Sequence, residues 1–410
     1  MQRQKMSQRV ESDTAEVTSV DPRLQQMLNQ SIRDQLNQSL SQVSDGERQL
    51  LLKQSVLQLT ENIIHNNCSH DEWVDLYSET HQHLMSSYRE ADLSEEEKNQ
   101  SNIIKTGLVM SVEYSTGTFN DIYRVNAFIR GAYQAINNKE NQETIHIVYP
   151  ACGPFAPLLI PLISYVQQKN INNKIKISLI DIQPGAIKAL DQLINDLGVR
   201  EYIHELECMD IMDYNPGFKI DILILEAMQH GITREGHLFF ARHLAQFMTE
   251  DSILLPEEIT VNAYAGICQT EFATQWDDQD RTHSSLQNEQ TRGYRQHIGK
   301  VITLTLKNIK DATTVSLGES IELIEGDIVT IPVDIGSDKA LLLFTTITVF
   351  NNEKISEYDS GITQPIYMPS VCMNFKPKAP QPDDLLVKSG DNIRFYYKMD
   401  ATPGFLPVKA

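Results

Sequence analysis

Two glutamates, Glu226 and Glu235, lie nine positions apart, and Glu226 directly follows the apolar segment 220–225 (IDILIL). A pair of carboxylates can hold a planar guanidinium cation, because its fork of N–H donors matches carboxylate oxygens. The alternative is that the two residues are unrelated charges on a loop. Their position after a strand candidate favours a binding site for a cationic group.

A second set of residues follows three further strand candidates. Gly153 lies where a tight turn after 144–149 would let a ligand approach the backbone. Asp181 ends the next candidate, where it can accept hydrogen bonds from both hydroxyls of a ribose, and Asp210 follows the third, where it can bind an adenine amino group. Each acid alone is equally compatible with an ordinary surface residue. Placed in this order at strand ends, they predict a site for an adenosine-containing ligand.

The loop around Gly153 distinguishes between two adenosine-containing ligands, NAD and S-adenosylmethionine, because they place different requirements on it. A pyrophosphate requires a glycine-lined helix N-terminus with free N–H groups. This loop has one glycine, and Pro154 and Pro157 remove two N–H donors. An adenosyl sulfonium carries no phosphate and needs no such cradle. The sequence therefore favours S-adenosyl-L-methionine as the cofactor.

Strands that alternate with helices must position these residues. The strands are expected at 144–149, 176–180, 202–208 and 220–225. Their alternation with helical segments predicts right-handed βαβ units and a parallel sheet. After Leu255 the chain has β-branched and aromatic runs with turn signals and no helical period, which predicts an antiparallel sandwich or barrel.

The first hundred residues predict helices. Apolar residues recur every three or four positions from Leu24, and the pairs Ser69/Glu72 and Ser94/Glu97 match capping boxes. A helical cap packed on the following domain is favoured over a coiled coil or a partner-binding role.

Composition limits the class of partner. Acidic residues outnumber basic residues 55 to 35, which gives a formal charge of −20. This charge disfavours nucleic acid and favours a cationic substrate, although an acidic surface for solubility explains it equally well.

Neither a metal site nor a membrane segment is expected. The five cysteines contain no CxxC pair, and His81 and His83 would point in different directions from a helix. The N-terminus has no apolar signal segment, and the apolar stretch 156–166 is too short to span a bilayer. We expect a cytoplasmic protein.

The segment 221–235 (DILILEAMQHGITRE) resembles the double-glutamate hairpin of the protein arginine methyltransferases, where two glutamates have the same spacing. The next segment, 237–261, is similar to the helix and strand that follow in that family. Three later segments resemble the closing part of its barrel: 340–350, 360–369 and 385–399. The resemblance covers about residues 112–410.

This resemblance implies roles for individual residues. Glu226 and Glu235 would be catalytic. The segment 119–128 is similar to the helix that closes over the cofactor, which makes Phe119 and Arg124 cofactor-binding residues. Arg124 best fits the basic residue that binds the methionine carboxylate, and Arg130 is the alternative.

Three positions depart from the family pattern. Tyr149 stands in place of the usual acid at the end of the first strand, and 360–365 replaces the Thr-His-Trp loop. The helical dimerisation arm has at most a short counterpart around 276–296, so the sequence leaves a homodimer open. These departures suit a small guanidine or amine, such as free arginine, better than a protein side chain.

The resulting prediction is an α/β fold with a Rossmann-like parallel-sheet methyltransferase domain followed by a β-barrel domain. The expected regions are a disordered tail (1–20), an N-terminal helical region (21–110), the S-adenosylmethionine-binding domain (111–255) and the β-barrel substrate domain (256–410). The predicted function is N-methylation of a guanidino nitrogen. The alternatives are methylation of another amine or small metabolite, and a non-catalytic scaffold that retains the fold.

Overall fold

The structure, a computed structural model, describes residues 44–171, 174–271, 293–318, 321–374 and 379–410. The chain divides into two compact units, Met1–Arg48 and Gln49–Ala410, and only residues 44–48 of the first unit are described. The predicted tail, the helix expected from Leu24 and most of 276–296 lie outside the described residues.

Five α-helices of the described chain precede the parallel sheet. They are α1 (Asp45–His65), α2 (His70–Glu90), α3 (Glu95–Asn99), α4 (Val112–Thr116) and α5 (Ile122–Asn138). Both predicted capping boxes are present, at Ser69 with Glu72 and at Ser94 with Glu97. Buried apolar residues of α1 and α2 belong to the same hydrophobic core as the sheet, so these helices pack against it.

A two-stranded hairpin lies between α3 and α4. Its antiparallel strands are β1 (Asn102–Ile104) and β2 (Gly107–Val109). Isolated two-stranded hairpins are marginally stable, so this one depends on contacts with the rest of the protein.

The central sheet is parallel and has five strands. They are β3 (Ile145–Pro150), β4 (Ile175–Asp181), β5 (Ile203–Cys208), β6 (Ile220–Ile224) and β7 (Met248–Leu255). Their order is β5-β4-β3-β6-β7, and three helices connect them: α6 (Ile160–Gln168), α7 (Pro184–Leu197) and α8 (His237–Ala245). The chain leaves β3 towards β4 and later returns to its other side as β6. A crevice opens at such a switch point, at the carboxyl ends of the strands.

The chain after β7 forms mainly antiparallel sheets. One sheet has the order β13-β12-β8-β9, with β14 also paired to β12, and another has the order β10-β11-β17-β18. The elements are β8 (Glu258–Gly266), β9 (Gln296–Leu304), α9 (Leu306–Asp311), β10 (Thr314–Leu317), β11 (Ile321–Thr330), β12 (Ala340–Phe350), β13 (Glu353–Ile355), β14 (Ile366–Tyr367), β15 (Val371–Met373), β16 (Leu385–Val387), β17 (Asn392–Met399) and β18 (Gly404–Lys409). The two sheets meet where β9 passes β11. The two backbones are so close there that a Cβ on Gly326 of β11 would lie 2.5 Å from the carbonyl oxygen of Val301 in β9.

The predicted fold class is confirmed. A Rossmann-like parallel sheet is followed by a β-barrel domain and preceded by helices. In the described part of the chain, no helix combines the length and the apolar character needed to cross a membrane.

Candidate active site

A cavity opens at the carboxyl ends of the parallel strands. It is lined by six of the seven predicted site residues: Arg124, Gly153, Asp181, Asp210, Glu226 and Glu235. The seventh, Phe119, is fully buried and packs against Tyr77 and His81 instead. Any effect of Phe119 on cofactor binding would therefore act through the packing of this region, and its role stays a prediction.

The loop after β3 turns sharply towards the cavity. Ala151 and Gly153 both adopt left-handed backbone conformations, with φ of 50° and 63°. For alanine this conformation costs about 1 kcal/mol, so the loop follows a path that usually requires glycine although it has only one. The Gly153 N–H donates to Asp181 Oδ2 over 2.9 Å, which ties the ends of β3 and β4 together.

Asp181 is 8% exposed and holds two loops at once. Its second oxygen, Oδ1, accepts a hydrogen bond from Gln183 N at 2.9 Å. Burial raises the pKa of Asp181, and the backbone N–H donors oppose this rise. A carboxylate has about four acceptor positions, so the backbone donors leave Asp181 with acceptor capacity, and its predicted contact with a ribose stays a prediction.

Asp210 follows β5 and lines the same cavity. Its Oδ1 accepts from Met212 N at 2.9 Å, which fixes the side chain at the start of a short 3-10 turn. The side chain is half-buried, and this position stays compatible with the predicted contact to an adenine amino group.

The β1–β2 hairpin contributes one wall of the cavity, with residues between Ile104 and Met110. Gln183 fastens it, because its Nε2 donates to Gln100 O and to Met110 O, both at 2.9 Å. Sequence reasoning missed Gln183. Its place two positions after Asp181, at the end of a strand, was the only local signal.

Replacing Gln183 by leucine is expected to release the hairpin. Two part-buried hydrogen bonds would be lost, each worth about 0.5–1.5 kcal/mol. We expect a lower free energy of unfolding and a roughly tenfold weaker affinity for S-adenosylhomocysteine, measured by calorimetry. The matched control is Gln168→Leu, which removes hydrogen bonds to Lys53 O and Ser164 Oγ outside the cavity. Equal affinities in the two variants would contradict this role of the hairpin.

Glu226 follows β6 and is paired with Arg124. Arg124 Nη1 donates to Glu226 Oε2 at 2.9 Å, and Nη2 donates to Thr118 O at 2.8 Å. Arg124 Nε lies 3.5 Å from Asp121 Oδ2. Arg124 thus lines the cavity with its charge balanced by two acids. Arg130, the alternative for the same role, instead pairs with Glu353 Oε2 at 2.6 Å and is not among the lining residues.

Glu235 has a different environment from Glu226. Its Oε1 is buried and has no hydrogen-bond partner among the described residues. Burial, and then the charge of Glu226, raise the pKa of Glu235 to about 8. Burial also raises the pKa of Glu226, but Arg124 opposes that rise. The cavity therefore contains Glu226, which is paired with Arg124, and Glu235, whose raised pKa keeps it mostly protonated at neutral pH and whose Oε1 lacks a partner among the described residues.

Tyr149, at the position where the sequence lacks the usual acid, is buried and lines the cavity. Burial raises its pKa well above the ordinary value, so the phenol stays protonated near neutral pH. Tyr149 therefore contributes a neutral hydroxyl group to the cavity that also contains Arg124 and Glu226.

No protein-family model and no curated protein matches the chain. Among solved structures, the chain is similar to the Trypanosoma brucei PRMT1 enzyme–prozyme heterotetrameric complex with AdoHcy, at 14% identity and a TM-score of 0.40. It is also similar to protein arginine methyltransferase 10 of Arabidopsis thaliana, at 12% identity and a TM-score of 0.39. Each match covers 70% of this chain and 87% of the other.

Proposed function

We propose that the protein is an S-adenosylmethionine-dependent N-methyltransferase that acts on a guanidino nitrogen. One observation carries this proposal: a single cavity is lined by Gly153, Asp181 and Asp210 as well as by Glu226 and Glu235. The first group suits an adenosine moiety, and the glutamates suit a cation. A donor and an acceptor bound in one cavity lie close enough to react.

The structure of the loop after β3 bears on the choice of cofactor. Helix α6 begins only at Ile160, seven positions after Gly153, and its first turn contains Pro161. Few N–H groups therefore point from a helix N-terminus towards the cavity, as a pyrophosphate would require. This arrangement supports S-adenosylmethionine over NAD.

When bound, S-adenosylmethionine supplies a methyl group on a sulfonium. Transfer forms a nitrogen–carbon bond, breaks a sulfur–carbon bond and requires the nitrogen to lose a proton. Glu226 and Glu235 would hold the guanidinium by charge-assisted hydrogen bonds and orient one nitrogen. Because its pKa is about 8, Glu235 is suited to accept the proton that the nitrogen loses.

The activity is expected to depend on the protonation state of Glu235. Below pH 8 most Glu235 is protonated, so binding a guanidinium must displace that proton. We expect kcat/KM for the acceptor to rise about tenfold per pH unit between pH 6 and pH 7.5 and to level off above about pH 8. The Glu235→Gln variant is expected to have a flat profile. A flat wild-type profile would contradict this role.

The direct test is mass spectrometry after incubation with S-adenosylmethionine and separate acceptors. Free arginine, an arginine-containing peptide and an aliphatic amine distinguish the guanidine proposal from methylation of another amine. We expect a mass increase of one methyl group on a guanidine and none on the amine. Methylation of the amine alone would favour the second candidate. No methylation of any acceptor would favour a non-catalytic role. The predicted homodimer and cytoplasmic location stay predictions.

A further inference from the structure

A second, more open cavity adjoins the first. The two share Arg124 and Glu235 among their lining residues, and Arg234 and His230 line only the outer one. An acceptor whose guanidinium contacts Glu235 can therefore reach into the outer cavity, which Arg234 lines. Arg234 and Glu235 are consecutive, so their Cα atoms lie about 3.8 Å apart, and one small molecule can contact both side chains.

The backbone of Arg234 is held in an unusual conformation. Its φ is 69°, and Ile232 nearby has a φ of 59°. The Arg234 N–H donates to Pro403 O at 3.0 Å, and its carbonyl accepts from Leu108 N at 2.7 Å. A non-glycine residue in this region stores about 1 kcal/mol or more of strain, which persists where the surroundings fix it and is common in ligand-binding segments.

The Arg234 side chain is exposed and makes no hydrogen bond or ion pair with the described residues, although its charge helps to lower the pKa of His230. Several other arginines of the chain are paired, as Arg242 is with Glu322 and Arg394 with Glu325. In a protein with 55 acidic and 35 basic residues, an unpaired arginine at the opening of the cavity attracts an anion. It also repels a second cation, so it disfavours an arginine flanked by basic residues in a polypeptide.

We propose that Arg234 binds a carboxylate of the acceptor, and that the substrate is a small guanidino acid with a free carboxylate. This proposal rests on the proposed function, because it assumes that the guanidinium occupies the site of Glu226 and Glu235. Arginine and carboxylate form bidentate, charge-assisted hydrogen bonds. His230 lines the same opening, and an imidazole N–H is a further hydrogen-bond donor. Arg234 acts as a specificity residue and takes no part in bond making.

The test compares L-arginine with L-argininamide, in which an amide replaces the carboxylate and the guanidine is unchanged. We expect wild-type kcat/KM to be at least tenfold higher for L-arginine, mainly through KM. In Arg234→Gln this preference is expected to fall to less than threefold. Arg234→Lys is expected to keep part of the preference, because a positive charge remains. The matched control is Arg200→Gln, an exposed arginine that lines neither cavity.

The outcomes separate the two proposals. If the wild type methylates L-argininamide as well as L-arginine, or if Arg234→Gln keeps the full preference, the carboxylate proposal is overturned and guanidine methylation stands. If an arginine peptide amide is the better acceptor, a macromolecular substrate replaces the small one. If no guanidine is methylated while S-adenosylhomocysteine still binds, the proposed acceptor class fails, and the role of Arg234 fails with it.

Discussion

Glu226→Gln and Glu235→Gln are each expected to lower the rate of methyl transfer by about 30- to 1000-fold. Glutamine keeps the shape of the side chain and removes its charge. The loss of a charge-assisted contact to the guanidinium costs about 2–4 kcal/mol in the transition state. Single-turnover rates, measured with saturating cofactor and acceptor, report this loss without interference from product release.

The two variants are expected to differ in their affinity for the cofactor product. Glu235 shares no hydrogen bond or ion pair with Arg124 among the described residues and acts on it only as the last of four charges that raise the pKa of Arg124. Glu235→Gln is therefore expected to leave the affinity for S-adenosylhomocysteine within about twofold of the wild type. Glu226 holds Arg124 at 2.9 Å, and Arg124 is the predicted partner of the methionine carboxylate. Glu226→Gln is therefore expected to change this affinity as well as the rate.

A different result is expected if the acidic surface as a whole, rather than the two glutamates, attracts the acceptor. If the charge of −20 only attracts a cationic acceptor, both variants turn over at nearly the wild-type rate, and activity falls steeply with salt. Near-normal turnover in both variants would remove the reason for a guanidine acceptor.

The same two substitutions are expected to change stability in opposite directions. The pKa of Glu235 is raised to about 8 in the folded protein, mainly by burial. Between its ordinary value and pH 8, the folded state holds a proton that the unfolded state releases, so folding becomes less favourable as pH rises through this range. Glu235→Gln removes this effect. We expect it to increase the free energy of unfolding by ~2–4 kcal/mol at pH 8 and by little near pH 4.5, after allowance for partial exposure.

Glu226→Gln leaves a buried cation without its nearest anion. Arg124 is 7% exposed, and removing one partner of a buried ion pair typically costs about 3–5 kcal/mol. Asp121, at 3.5 Å from Arg124 Nε, compensates in part, so we expect a loss of ~2–4 kcal/mol. Denaturant unfolding at pH 8 and at pH 4.5 measures both effects. A stability loss in Glu235→Gln at pH 8 would show that this carboxyl group is ionised and paired in the folded protein.

Several site residues could be predicted because each follows a strand in the sequence. Asp181 ends β4, Asp210 comes just after β5, and Glu226 comes just after β6. The carboxyl ends of parallel strands meet at one edge of a sheet, so local patterns were enough to bring these residues together. The fold class followed for the same reason, from the change between alternating strands and helices and a long β-rich stretch.

Other features depend on contacts between distant parts of the chain. The hairpin is fastened by Gln183 across more than 70 positions, and the ion pair between Arg124 and Glu226 spans 102. No local pattern specifies these partners. Phe119 also depends on a distant partner, because its apolar ring is buried against Tyr77, and its role in cofactor binding stays a prediction. The free charge of Arg234 also became visible only when the surroundings of the side chain were known.

The most direct test of the proposed cofactor site is a calorimetric titration of S-adenosylhomocysteine, and separately of NAD, into the wild type and Asp181→Ala. We expect micromolar binding of S-adenosylhomocysteine, ~8 kcal/mol, and at least tenfold weaker binding to Asp181→Ala. The control variant, Asp196→Ala, removes a buried acid that accepts from Ser87 and does not line the cavity, so it is expected to bind like the wild type. Tight binding of NAD without binding of S-adenosylhomocysteine would contradict S-adenosylmethionine as the cofactor.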